Sequence, residues 1–240
     1  MGLFDLATKN PNKVFEYIRS SPHSLVARRT MLDVFASFLD PDGNFVEQFQ
    51  SQGFDARVFE LCLHAGFSEL GYSIHRPKAP DFLIERGGHR IAVEATTTNP
   101  SRSGVMAQHS RPLHEHSRDE RWNYLHNDWA IRIGAPLTAK LAKRYWEKSE
   151  CAGLPFVIAV EAFHEPLALS LSHTMVAAYL YGVQATSPKI DAGRMVLGPT
   201  VLTKHAVGTK SILLPRALVD GRARGLVDGH HAGRAVARGA

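Results

Sequence analysis

A chain of 240 residues is long enough for one sizeable α/β domain with a helical extension and too short for two large domains. Its 44% hydrophobic content is that of an ordinary globular protein, no apolar run is long enough to span a membrane, and its two cysteines, Cys62 and Cys151, exclude a disulfide framework or a zinc knuckle. The net charge is +5, but +3 of it falls in residues 215–240, so local basic clusters are more informative than the total.

The N-terminal run Met1-Gly2-Leu3-Phe4-Asp5-Leu6 has no basic region followed by an apolar stretch, which predicts no signal peptide. Leu6 in place of Ser or Thr argues against N-myristoylation. A reducing cytoplasm is the expected location. Residues 1–53 read as a helical extension, with segments at Asn12–Ile18 and Ser24–Leu39. The Asp40-Pro41-Asp42-Gly43-Asn44 stretch reads as a turn with helix-capping residues.

An α/β domain is expected over 54–214. Asp55 to Gly71 predicts an amphipathic helix on the stripe Val58, Leu61, Cys62, Ala65, Phe67 and Leu70, with Glu60 beside that stripe. Tyr72 to His75 predicts a short strand. Phe82-Leu83-Ile84 and Ile91-Ala92-Val93 flank Gly87-Gly88, the pattern of a β-hairpin. Asp81 opens the first of these strands and Glu94 lies at the far end of the second. In a hairpin those two ends are neighbours, so the two carboxylates are expected side by side. Close carboxylates repel unless a cation sits between them, which points to a hard-metal site.

Residues 97–133 form a long polar insertion carrying His109, His114, His116 and His126 with Arg102, Arg111, Arg118 and Arg121. Loops of this length inside a domain are usually functional or disordered, and a substrate-contacting loop beside the site is expected. Trp122, Tyr124 and Trp129 can stack on bases or anchor the loop to the core. Leu137 to Lys148 predicts a second helix, and Pro155 to Val160 a buried strand. The helix carries a basic cluster of Lys140, Lys143, Arg144 and Lys148, which reads equally as a phosphate-tracking face or a solvated one; Arg28 with Arg29 form another cluster. Thr174 to Gly182 predicts a helix, with strand-like pieces at Met195–Leu197 and Ser211–Leu214. From Pro215 onward the sequence turns to Ala, Gly and Arg, and a poorly ordered tail over 215–240 is expected.

Pro80-Asp81 followed by Glu94-Ala95-Thr96 resembles the PD-(D/E)xK nuclease superfamily, whose fold is restriction-endonuclease-like. The order helix, three strands, helix, strand over about residues 54–163 resembles its αβββαβ core. The chain departs from the pattern at Thr96, where the family has lysine. The resemblance implies a restriction or defence-type nuclease that hydrolyses nucleic-acid phosphodiesters with Mg²⁺ or Mn²⁺. It implies that Asp81 and Glu94 hold the metal, with Glu60 assisting and the Ala95 carbonyl completing the shell. Lys140 or Lys78 would stand in for the missing lysine, whose task is to support the attacking water and offset charge in the transition state. Arg102, Arg111, Arg118, Arg121, Lys143 and Arg144 would contact nucleic acid, DNA in preference to RNA, and a homodimer is compatible with the reading. Tyr145 matches an exonuclease-like helix motif only in part, because Leu141 stands where glutamine belongs. The contrasting readings are a catalytically inactive member that binds nucleic acid or protein, and a small-molecule hydrolase using the same carboxylates; the Arg- and His-rich insertion favours a polyanionic substrate over the last.

Overall fold

Asn12 starts the first helix. Its Oδ1 accepts from the backbone N–H groups of Val14 (2.8 Å) and Phe15 (3.3 Å), satisfying donors that a helix start leaves unpaired. The computed structural model describes residues 2–6, 8–99, 115–124, 129–163 and short pieces between 168 and 211. Helix α1 spans Lys13–Ser20 and α2 spans Leu25–Ala36. Arg28 of α2 donates to the carbonyls of Ile18 (2.7 Å) and Ser21 (2.6 Å), tying α2 to the end of α1.

The turn at residues 40–44 does cap a helix. The Asp40 carboxylate accepts from Gly43 N–H (3.0 Å) and Phe45 N–H (2.8 Å), at the entry to α3, Phe45–Gln50. Helix α4 follows at Phe54–Glu69 and buries Phe54, Phe59, Glu60, Leu61 and His64.

Three strands come next: β1 Ser73–His75, β2 Phe82–Arg86 and β3 His89–Thr98. Gly87 and Gly88 turn β2 into β3 with φ of 58° and 78°, a left-handed pair that disfavours residues with a Cβ. The register pairs Phe82 with Val93 and Arg86 with His89. Helix α5 (Arg118–Asn123) starts with a reciprocal cap between Ser117 and Glu120. Helix α6 (Trp129–Ala142) then leads to β4, Phe156–Ala162, which runs parallel to β3 and pairs Glu94 with Ile158. The molecule is thus mixed α/β, around a four-stranded mixed sheet of order β1-β2-β3-β4.

The sheet has helices on both faces. On one, Phe82, Ile84 and Val93 pack with Phe54 and Leu61 of α4 and with Leu3, Phe15, Phe38, Phe45 and Phe49. Leu3, Phe15, Phe38, Phe45 and Phe49 of the N-terminal segment therefore share one core with α4 and the sheet, while Tyr17 stays exposed. On the other face, Leu83 and Ala92 pack with Cys151, while Leu137 and Leu141 of α6 pack over Ile158 and Val160.

Several boundaries differ from the sequence reading. Helix α6 begins at Trp129, inside the expected insertion, because Trp129, Ile133, Leu137 and Leu141 form one apolar stripe at four-residue spacing. Pro136 lies within that helix, where proline would ordinarily mark an end. The helix stops at Ala142, short of the expected Lys148, because Arg144 is left-handed at φ 50°. Tyr145 and Trp146 consequently sit in a separate 3-10 turn. Strand β3 runs two residues past Thr96, which shortens the insertion from its other end.

Beyond β4, three antiparallel two-stranded pairs are described: Val183–Ala185 with Thr200–Leu202, Lys189–Asp191 with Arg194–Val196, and Ala206–Val207 with Lys210–Ser211. Of the helix expected at 174–182, Val176, Tyr179 and Leu180 are described and helical. Leu197, residues 212–214 and the 215–240 tail lie outside the described residues. No described helix is long and apolar enough to cross a membrane.

Candidate active site

Phe82 and Val93 are the last pair of the β2–β3 ladder, so Asp81 and Glu94 are the next residues beyond it. Two hydrogen bonds knit them together. Asp81 N–H donates to Glu94 Oε2 (3.2 Å), and Ala95 N–H donates to Asp81 Oδ2 (2.8 Å). Each carboxylate is thus oriented by the backbone of the other strand. Glu94 is only 3% exposed. Burial pushes its carboxyl above the ordinary range, the neighbouring Asp81 charge pushes it further, and Lys140 opposes both.

Side chains alternate along β3, so Ala92, Glu94 and Thr96 look toward α6, and Val93 and Ala95 toward α4. Lys140 comes from α6, where its neighbours Leu137 and Leu141 are buried against the sheet. Its Nζ reaches Glu94 Oε1 at 2.5 Å. Of the two lysines suggested by sequence, this is the one the fold brings to the carboxylates. Lys78 is exposed, and among the described residues no ion pair joins it to either acid. Thr96 lies two residues beyond Glu94 on the same face, half-buried, and pairs with Val160 of β4.

Lys143 is exposed, one helical turn from Lys140. A hydrogen bond to Tyr145 raises its pKa most, burial opposes this, and the charges of Tyr145, Glu94 and Asp81 add to the rise. Arg144, grouped with it by sequence, instead pairs with Glu147. Arg118 and Arg121 lie exposed on α5. Arg102 and Arg111, with His109, His114 and His126, fall outside the described residues.

Glu60 stands differently from its expected role. It belongs to α4, in the layer across the sheet from α6, and its carboxylate is taken by two arginines: Arg57 at 2.5 Å and Arg76 at 2.6 Å. Burial raises its pKa most, Asp81's charge adds to that, and the two arginines oppose it. Glu60 therefore lies within electrostatic reach of Asp81. Arg57 was legible as an (i, i−3) neighbour of Glu60 on one helix. Arg76 left no sequence signal, since it follows β1 and meets Glu60 only in the folded chain.

Among the described residues, no group of three or more His, Cys, Asp or Glu side chains is arranged to hold a metal ion. Two adjacent carboxylates nevertheless suit Mg²⁺, which commonly takes one or two protein carboxylates and keeps waters or substrate phosphate in its other positions. Asp81 and Glu94 are such a pair, and the Asp81 charge helps push the Glu94 carboxyl up. No family model, curated protein or solved structure matches the chain.

Proposed function

We propose that this chain is a metal-dependent hydrolase of nucleic-acid phosphodiesters, of the restriction or defence type, acting on DNA in preference to RNA. The observation that carries the reading is the reciprocal bonding of Asp81, just before β2, with Glu94, inside β3, together with the Lys140 ammonium on Glu94. The order α4-β1-β2-β3-α6-β4, with β4 parallel to β3, supports it as well, because it is the order expected of a restriction-endonuclease-like core.

Asp81 and Glu94 would hold Mg²⁺ or Mn²⁺. When bound, such an ion lowers the pKa of a water ligand and offsets phosphate charge. Lys140 supplies, from α6, the positive charge that Thr96 cannot, beside the carboxylate pair where negative charge develops. Thr96 can only hydrogen-bond. Lys143, three residues beyond Lys140, is an exposed cation able to meet a phosphate.

A second reading is a non-catalytic binding module. Its specific support is the same Lys140–Glu94 contact, which neutralises the buried carboxylate without any metal. Purified protein assayed with Mg²⁺ or Mn²⁺ on single- and double-stranded DNA and RNA separates the two. Cleavage that is lost in Asp81→Asn and Glu94→Gln supports the hydrolase. Binding without cleavage under any divalent metal overturns it in favour of the module.

A further inference from the structure

Arg76 is an unusual residue to bury. Its side chain is 6% exposed, and its guanidinium lies against two rings, with Cζ 3.8 Å from the Phe38 centroid and 4.7 Å from that of Phe82. Such cation–π contacts offset part of the cost of burying the charge. The edges are another matter: Nε and Nη1 have no hydrogen-bond partner, and Nη2 donates to Glu60. Glu60 is therefore the one carboxylate that balances this buried cation among the described residues. Glu60 in turn is fixed from its own helix by Arg57, which also donates to Gln48 Oε1.

Position in the chain gives this cluster its meaning. Arg76 follows β1 directly, and five residues later the chain reaches Asp81. Phe82, on which Arg76 stacks, is the residue next to Asp81 and is fully buried. Phe38 belongs to the N-terminal segment, and Glu60 to α4. One side chain thus joins three parts of the fold at the base of the segment that delivers Asp81.

We propose that Glu60 is a positioning residue that acts through Arg76, holding the Arg76–Asp81 segment in register so that Asp81 meets Glu94 and Ala95, and that it is not a cation ligand. The proposal rests on the reading of Asp81 and Glu94 as the cation site for its consequence, but not for its geometry. A carboxylate held at 2.5 Å and 2.6 Å by two guanidinium groups, in the layer opposite Lys140, would have to break both pairs to reach a metal. Leaving Arg76 buried without that partner is costly.

The Ala95 amide provides a readout that needs no metal, because it donates to Asp81 Oδ2. Hydrogen exchange at Ala95 is measured in the full chain for wild type, Glu60→Gln and Arg76→Met, with Ile158 amide exchange as a control for global unfolding. The expected result is exchange at Ala95 at least about tenfold faster in both variants, with Ile158 nearly unchanged. Arg76→Lys, which keeps the charge, should restore much of the protection and serves if Arg76→Met folds poorly. Mn²⁺ titration gives the second arm. A positioning role makes Glu60→Gln and Arg76→Met weaken Mn²⁺ binding together, with the double variant no worse than either single one. A ligand role gives opposite signs: Glu60→Gln weakens binding, while Arg76→Met frees Glu60 and tightens it. Unchanged Ala95 exchange in both variants, or tighter Mn²⁺ binding in Arg76→Met, overturns the proposal. Wild-type protein that takes up no Mn²⁺ sinks the cation-site reading instead, and the exchange arm still decides the positioning role.

Discussion

Lys140 Nζ lies 2.5 Å from Glu94 Oε1, although 46 positions separate the two residues in the chain. The contact crosses from α6 to the centre of the sheet and gives a 3%-exposed carboxylate its charged partner. It also places an ammonium group next to the paired acids where Thr96 has replaced the expected lysine.

Replacing Lys140 with Ala should have two effects of different origin. The rate of metal-dependent cleavage should fall by on the order of 100-fold or more, as expected when a charged group that stabilises a transition state is removed. Stability at neutral pH should fall by on the order of 1–3 kcal/mol, because Glu94 is left buried without a cation. Steady-state kinetics and thermal melts read the two separately. Normal cleavage by the variant would remove Lys140 from the reaction and leave the ion pair as a structural feature.

Lys78→Ala should leave cleavage within about twofold of wild type and stability within about 0.5 kcal/mol, since it is an exposed side chain with no ion pair to the acids. A large loss of rate in this variant would show that the segment before Pro80, and not α6, supplies the cation.

Glu94→Gln should abolish cleavage while keeping or raising the melting temperature of the metal-free protein. The raised carboxyl pKa means that burial and Asp81 disfavour the charged form. The sign follows from linkage. A group with a raised folded pKa gives its full stabilisation below the ordinary value of 4.5 and loses it as pH rises through the folded value. The melting-temperature advantage of the Gln variant should therefore be absent in acid and grow with pH above about 4.5. At neutral pH a rise of about 2–4 °C would correspond to roughly 1 kcal/mol. Added Mn²⁺ should stabilise wild type and not the variant. A variant that melts lower than wild type at neutral pH and equal to it in acid contradicts the assignment.

Phe49→Ala should destabilise the whole molecule by on the order of 3–5 kcal/mol. Phe49 is fully buried, with ring centroids 5.2–6.2 Å from those of Phe4, Phe15, Phe45 and Phe54. Because the same cluster contains Phe82 and Val93, the loss should appear in one transition that includes the sheet. A separate early transition confined to the N-terminal helices would show that they fold as an independent unit.

The periodic elements were legible because their signals are local. The span of α4, the Gly87-Gly88 turn and the apolar run of β4 each contain their own evidence, and the hairpin by itself puts Asp81 beside Glu94; the stripe of α4 was legible only in part, since Cys62 and Leu70 are exposed and Phe59 and His64 are buried instead. The ends of α6 were not legible. They depend on Trp129 and Ile133 finding buried neighbours across the fold and on Arg144 adopting a left-handed backbone that no residue type announces. Sequence put Lys140 first and Lys78 second as the cation, and the packing of Leu137 and Leu141 over β4 brings Lys140 to Glu94 by aiming one face of α6 at it. Glu60 shows the limit most clearly. An acid beside a helix stripe has the same sequence signature whether it faces a metal or an arginine. The pairing of Glu60 with Arg76 follows from where Arg76 arrives after β1, and that is a property of the assembled sheet and helices, not of any stretch of chain.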